Sequence, residues 1–472
     1  MSGGDPRVTA VTAFRRDEMV RRLGTEEFDL LVIGGGITGV GVALDAASRG
    51  LRTALVERDD FASGTSSKSS KLVHGGLRYL QQGDVRLVYE ALHERQRLLR
   101  NAPHLVSVLP FLVPVLTKDG PVSKRIAKAM RSALWMYDIT GGLRIGKRHR
   151  RLSAEEAFDL CPTVPPDRLS SGFLYYDATA DDARLTLAVA RTAARHGAVV
   201  ANRSAVTGIT KDAEGRVGGA WVDTGAGTID VRARVVVSAA GVWVDELRRL
   251  DEGTDPDSTR PAKGIHLTVP WQLVRNEVGV IVSVPKDKRS LFLVPWGERP
   301  DGGFEHCYVG TTDTDYTGDV DRPEANDEDI DYVLDALAHS LTTTITREDI
   351  TGVWAGLRPL VKAASSGRTA DLSRRHKITE SPSGLISVTG GKLTTYRLMA
   401  EDTVDAVLRK LGVRAKCRTR HLKLVGGDRF EPVPVDHPDH RLGRRYGTEA
   451  AEVKALIALD AEFGEPLVPG LR

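Results

Sequence analysis

The side chains best equipped for chemistry stand together in one short stretch, SSKSSKLVHGGLRYL, from Ser66 to Leu80. It holds a histidine, an arginine, a tyrosine, two lysines and four serines, and no acid. A histidine can hold or move a proton near neutral pH. Arginine and lysine bind anions, and the planar fork of arginine suits phosphate best. So dense a set of donors and positive charges points to phosphate-bearing neighbours. No G-x-S-x-G occurs, so these serines are not a hydrolase nucleophile. No HExxH and no Cys/His cluster points to a metal.

Just upstream, FDLLVIGGG begins as a continuous apolar run, the pattern of a strand buried on both faces of a parallel sheet. GVGVALDAASRG follows as a packed helix and RTALVERDD as a second buried strand, making a βαβ unit. Gly34, Gly36 and Gly39 stand as G-x-G-x-x-G between that strand and helix. Gly34 permits the tight turn, Gly36 lets backbone approach a pyrophosphate, and Gly39 allows close helix–strand packing. The helix start offers free N–H groups to phosphates. Gly35 and Thr38 complete the loop, and Glu57 ends the second strand, where a carboxylate accepts ribose hydroxyls and repels a 2′-phosphate.

This fingerprint marks a dinucleotide site without separating FAD from NAD. Two further segments favour FAD. Thr65, Ser66, Ser67, Ser69 and Ser70 in SGTSSKSS suit a pyrophosphate and ribityl chain. Gly390, Gly391, Leu393 and Thr394 in SVTGGKLTT aim a helix N-terminus at the flavin C2 carbonyl. Gly241 follows another buried strand, ARVVVSAAGVW, and joins the cofactor set. Lys68 and Lys71 are read as solvated or close to the cofactor phosphates.

The 472 residues suggest two or three domains, with the 41% hydrophobic and 27% charged content of an ordinary globular protein. A net charge of +3 argues against a nucleic-acid partner. Cys161, Cys307 and Cys417 are scattered and fit a reducing compartment. Residues 1–27 contain no apolar core of a signal peptide, and no run of about 18 apolar residues marks a membrane span. The expected cofactor half is discontinuous, at 28–82, 170–245 and 350–415. A cap of 83–169 and 246–349 carries an antiparallel sheet over 262–316. Residues from Gly83 to about Leu152 read as helical, and 416–472 as a helical C-terminal part.

Together, IGGGITGVGVALDAASRGL, ASGTSSKSSKLVHGGLRYL, WAGLRPL and GGKLTTYR closely resemble the FAD-dependent sn-glycerol-3-phosphate dehydrogenases, over about residues 28–415. HGGLRYL and GGKLTTYR are specific to that family. The resemblance implies an α/β fold: a discontinuous glutathione-reductase-like FAD (Rossmann) domain, an inserted antiparallel-sheet substrate domain and a small helical C-terminal part. It implies oxidation of sn-glycerol 3-phosphate to dihydroxyacetone phosphate, by hydride transfer from C2 to flavin N5, with electrons passed to a quinone. The family's site maps onto His74, Arg78 and Tyr79 in HGGLRY, Arg358 in GLRPL, Arg374 in SRRH and Lys392 in GGK. Arg78, Tyr79 and Arg374 are assigned to the phosphate. Arg358 and Lys392 go to the developing alkoxide. His74 is the first candidate for proton acceptor and His266, in KGIHLTV, the second.

Family members are peripheral membrane proteins, which implies a cytoplasmic enzyme on the inner face of the membrane. Residues 118–151 carry ten Lys/Arg against two acids, and Ile126, Met130, Leu134 and Tyr137 fall on one helical face. Lys124, Lys128 and Arg131 lie near it, so this helix is a candidate for contact with anionic lipid, with packing on the protein's own core as the alternative. The chain ends at EPLVPGLR, where related enzymes continue into a basic helical segment. Either the chain is naturally short here or its C-terminal part is incomplete, which leaves a homodimer open. The rivals are a glycerol-3-phosphate oxidase using oxygen, an amine or amino-acid oxidase of the same fold, and a non-catalytic flavoprotein. An amino-acid oxidase needs a carboxylate clamp and an apolar cage, and the many cations suit phosphate better.

Overall fold

The computed structural model describes residues 14–76, 84–117, 124–141, 145–254, 256–284, 289–362 and 375–465, and only the backbone of 124–130 and 461. Helix α1 (Arg16–Thr25) leads into a βαβ unit of β1 (Phe28–Ile33), α2 (Ile37–Ser48) and β2 (Thr53–Val56). Strand β3 (Leu72–Val73), helix α3 (Val85–Asn101), strand β4 (Val106–Leu116) and helix α4 (Lys124–Thr140) follow. Next come β5 (Arg150–Leu152), α5 (Ala154–Leu160), β6 (Leu169–Ala180), α6 (Asp182–Arg195) and β7 (Val199–Ala201). A meander of β8 (Ala205–Lys211), β9 (Val217–Asp223) and β10 (Thr228–Ser238) precedes α7 (Val244–Glu252). The antiparallel region holds β11 (Thr259–Pro270), β12 (Gly279–Ser283), β13 (Ser290–Glu298), β14 (Phe304–Gly310) and β15 (Thr314–Asp315). Helix α8 (Asp327–Ser340), strands β16 (Gly352–Val361), β17 (Lys377–Glu380) and β18 (Ile386–Thr389), and helices α9 (Tyr396–Leu411), α10 (His440–Tyr446) and α11 (Ala450–Leu459) complete the chain.

Two sheets organise these elements. The first has the order β17-β18-β10-β1-β2-β7, parallel from β18 to β7, with β9 and β8 added on β10. Its central strand β1 is buried along almost its whole length, between β10 and β2 and under α2. Nearly every residue of α2 is buried, and Gly41 lets α9 approach: a Cβ there would lie 2.8 Å from the Tyr396 ring. The second sheet has the order β15-β11-β14-β13-β12-β4-β6-β3, with β16 on β11 and β5 on β6. It is antiparallel except where β4 runs alongside β12. Its alternate residues form a separate core with α5 and α8.

Three differences from the sequence reading matter. Strand β4 lies inside the stretch expected to be helical; VSVLPFLVPVL is apolar but for Ser107 and carries no alternation to mark a strand, yet it pairs along its length with β6. β6 and β16 fall inside the segments 170–245 and 350–415, expected in the cofactor half, but pair in the second sheet. They thereby carry the chain from one half to the other. On α4, Leu134 and Tyr137 are buried, whereas Trp135, Met136 and Ile139 are exposed. The apolar face expected to meet lipid is therefore partly core; the Ile126 and Met130 side chains lie outside the described part. Among the described residues no helix is long and apolar enough to cross a membrane.

Candidate active site

The glycine turn after β1 is shaped by close approach. Gly34 has φ +112°, and a Cβ on it would lie 2.7 Å from the Ala239 carbonyl oxygen. Gly39 abuts the Gly34 carbonyl so closely that any side chain would overlap it. Gly35 donates its amide to Glu57 Oε2 at 2.6 Å, and Asp59 donates to Oε1 at 2.8 Å. Glu57 is thus clamped by backbone on both oxygens, with further lone pairs left for a ribose. Burial pushes its carboxyl above the usual range, and these two amides oppose the shift. Gly36 is the N-cap of α2 and supplies no side-chain cap. The Ile37 amide donates to Ser66 Oγ at 2.9 Å.

A cavity of about 250 Å³ opens against this turn. Its walls include Gly34, Gly36, Thr38, Glu57, Thr65, Ser66, Gly241, Gly390, Gly391 and Leu393. A second cavity of about 200 Å³ is lined by Thr65, Ser66, Ser69, Ser70, His74, His266, Arg358, Gly391, Leu393 and Thr394. Lys392 lines both, and the shared wall of Ile37, Thr65, Ser66 and Gly391–Leu393 makes the two spaces neighbours. Gly390 and Gly391 have φ +81° and +82°, a left-handed pair that turns the chain from β18 toward α9. The first cavity fits a dinucleotide: a side-chain-free turn, an uncapped helix start and a carboxylate at the strand end meet there.

Five of the six hydroxyls of SGTSSKSS, those of Thr65, Ser66, Ser67, Ser69 and Ser70, are expected on the cofactor, and the structure divides them. Thr65 and Ser66 line the first cavity; Thr65 Oγ1 also donates to the Leu357 carbonyl at 2.7 Å. Ser67 faces the Gly64 carbonyl at 3.5 Å. Ser69 donates to Asp182 Oδ2 at 2.7 Å, and Ser70 meets His266 Nε2 at 2.8 Å, both beside the second cavity. Lys71 is not solvated; its Nζ pairs with the buried Asp182 at 2.6 Å. Gly35, Gly39 and Ser67 support the turn and loop without lining either cavity. Arg78, Tyr79 and Arg374 lie outside the described residues.

His74, Arg358 and Lys392 come together in the second cavity although 318 positions separate the first from the last. The His74 ring sits 6.2 Å from the Phe292 ring. Arg358 projects from β16 and is held by Asp313 at 3.2 Å, Thr311 Oγ1 at 3.1 Å and the Thr312 carbonyl at 3.0 Å. His266 is buried, stacked at 4.7 Å on Trp354, and its Nδ1 has no hydrogen-bond partner. Burial, with Arg358 and Lys71 nearby, pushes its pKa down to about 3. It is a neutral imidazole at physiological pH.

A buried group missed by sequence reasoning fixes the loop after His74. Asp177 Oδ1 accepts the Gly75 amide at 3.1 Å, the Tyr137 hydroxyl at 2.5 Å and Arg95 at 2.6 Å. All three side chains are buried. The partners come from α3, α4 and β6, so no local pattern announces them. Asp313 and Thr311 likewise follow β14 as GTTD, a turn signal without a stated partner.

Residues 29–406 match the sequence profile of the family described as DAO, FAD dependent oxidoreductase. Glycerol-3-phosphate dehydrogenase 2 of Mycobacterium tuberculosis (strain ATCC 25618 / H37Rv) is 41% identical over 463 residues, covering 95% of this chain and 76% of that protein. The mitochondrial glycerol-3-phosphate dehydrogenase of Homo sapiens is 38% identical over 462 residues, covering 94% of this chain and 61% of that protein. The X-ray structure of the glycerol-3-phosphate dehydrogenase from Bacillus halodurans complexed with FAD superposes with a TM-score of 0.75 at 33% identity, covering 96% of this chain and 83% of that one. The glycine turn, the clamped carboxylate and the paired cavities thus sit in a chain that belongs to the FAD dependent oxidoreductase family, among the relatives of glycerol-3-phosphate dehydrogenase.

Proposed function

We propose that this protein oxidises sn-glycerol 3-phosphate to dihydroxyacetone phosphate, with FAD as the immediate acceptor and a quinone as the final one. The observation that carries the reading is the shared wall of the two cavities, where Lys392 borders both the dinucleotide side and the pocket of His74 and Arg358. When bound, FAD supplies the two-electron acceptor that takes the C2 hydrogen as hydride. This chain's residues do the rest. Arg358, held by Asp313 and Thr311, and Lys392 stabilise negative charge growing on the C2 oxygen.

His74 takes the hydroxyl proton. His266, kept a neutral imidazole by burial, serves to orient Ser70. The phosphate dianion is assigned to Arg78, Tyr79 and Arg374. Gly75, anchored on Asp177, keeps the His74 loop in register with the cavity.

For the acceptor, the exposed Trp135, Met136 and Ile139 on α4 form an apolar patch followed by the exposed Lys147, Arg148, Arg150 and Arg151. An apolar patch with basic residues nearby suits the surface of an anionic bilayer, where quinones reside. The test is product formation under two regimes. Dihydroxyacetone phosphate should accumulate with a soluble quinone under nitrogen and much more slowly with oxygen alone. Equal or faster turnover with oxygen would make the protein an oxidase.

A further inference from the structure

A cavity of about 340 Å³ lies between α10, the start of β4 and the β13–β14 hairpin, and shares no lining residue with the two cavities of the active site. Helix α10 brings Arg441, Arg444 and Arg445 to its wall, and α6 brings Arg184. Arg184 is paired with Asp181 at 3.4 Å. Among the described residues Arg441 and Arg445 have no ion-pair or hydrogen-bond partner, and Arg444 has only the Ser107 hydroxyl at 3.0 Å. Three guanidinium groups on a seven-residue helix repel one another unless an anion bridges them. Burial lowers the pKa of both Arg444 and Arg445, and Arg441 and Arg184 add to the effect at Arg445.

A second observation points the same way. His104 lines this cavity, is 2% exposed, and among the described residues its Nδ1 has no hydrogen-bond partner. Of the four carboxylates on the wall, Asp181 caps the start of α6 beside Arg184, and the other three are on the sheet side. Glu298 is met by His440 at 3.4 Å, while Glu277 and Glu305 line the wall as acceptors for hydroxyl groups. The cavity is thus cationic on its helix side and hydrogen-bond-accepting on its sheet side. Its volume is at the lower end of small-molecule sites.

We propose that this cavity binds a small phosphorylated sugar or polyol, its phosphate on Arg441, Arg444 and Arg445 and its hydroxyls toward Glu277 and Glu305. The ligand would pin α10 to the sheet at a site separate from catalysis.

Titration calorimetry on the FAD-loaded protein, with glucose 6-phosphate and inorganic phosphate as probes and sodium chloride at matched ionic strength, tests this. Glucose 6-phosphate should bind saturably with one equivalent and leave the flavin spectrum unchanged. Its affinity should fall about tenfold or more in Arg444→Gln and in the double variant Arg441→Gln/Arg445→Gln. Should Arg444→Gln fail to fold, the double variant decides, because neither of its side chains has a partner to lose. Equal affinity in wild type and variants, no saturable binding, or binding that perturbs the flavin and competes with glycerol 3-phosphate would overturn the proposal. Binding of inorganic phosphate without the sugar phosphate would overturn the assignment of the polyol.

Discussion

Thr394 grips the backbone of His74 from both sides: its Oγ1 accepts the His74 amide at 3.1 Å and donates to the His74 carbonyl at 3.3 Å. Thr394 lies in the turn before α9, and His74 directly follows the strand that edges the second sheet, so this contact sets the distance between the two halves at the catalytic seam. Replacing Thr394 by valine keeps the shape and removes both hydrogen bonds. We expect Thr394→Val to retain FAD and lose about ten- to a hundredfold in kcat/KM, the scale of a small misplacement of a catalytic group. Steady-state kinetics on variant protein of unchanged flavin content checks it.

Asp177 carries stability as well as position. Its carboxylate is paired with Arg95, and both are buried. Asp177→Ala strands the buried Arg95 charge and leaves the Gly75 amide with only the Tyr137 hydroxyl, at 3.1 Å, and should cost about 3–5 kcal/mol. Tyr137→Phe removes the hydroxyl that donates to Asp177 and accepts from Gly75 and Arg95, but leaves both donors on Asp177, and should cost about 1–2 kcal/mol. Denaturant midpoints of the two variants, compared with wild type, give the order.

The buried His266 gives stability a pH dependence of known sign. Its folded pKa of about 3 lies below the ordinary 6.5, so below pH 6.5 the unfolded chain binds a proton that the folded protein refuses. Stability from this group is complete above 6.5 and falls as pH drops toward 3, by roughly 2 kcal/mol at pH 5. His104, pushed down to about 4 by burial, adds to the same acid limb. His266→Gln should therefore flatten part of the stability–pH curve between pH 6.5 and 4.5, whatever it does to stability at pH 8. An unchanged slope would contradict the buried neutral imidazole.

The α4 patch predicts a division of effects along one helix. Trp135→Ser with Ile139→Ser should weaken flotation with anionic liposomes severalfold and leave the thermal midpoint nearly unchanged, because both side chains are exposed. Leu134→Ala should lower the midpoint by several degrees, because Leu134 is core. Equal flotation of wild type and the double variant would remove α4 from the membrane.

The parts of this protein legible in the sequence are those whose signals are local. Phe28–Glu57 announces itself because a parallel strand buried on both faces is a continuous apolar run, and because Gly34, Gly36 and Gly39 follow it at a fixed short spacing. Strand β4 was hidden, since an apolar run containing Pro110 and Pro114 carries no period, and its pairing with β6 spans dozens of residues. The site divides in the same way. His74, Arg358 and Lys392 are readable from short motifs, but what holds them is not. Arg95 and Asp177 are 82 positions apart, and His74 and Thr394 are 320 apart. The sequence leaves the α4 face open between lipid and core because helical period tells which residues share a side, not which side meets the core. Leu134 and Tyr137 share one stripe, Trp135 and Ile139 another, and only the packing against α3 and the second sheet chooses between them.

The account stands most directly on one measurement, the anaerobic titration of the FAD-loaded protein with sn-glycerol 3-phosphate while the flavin absorbance is followed. We predict rapid bleaching by glycerol 3-phosphate, none by glycerol at the same concentration, and rates lowered by orders of magnitude in Lys392→Met. A flavin that stays oxidised with glycerol 3-phosphate, or that is bleached equally by glycerol, would contradict the account.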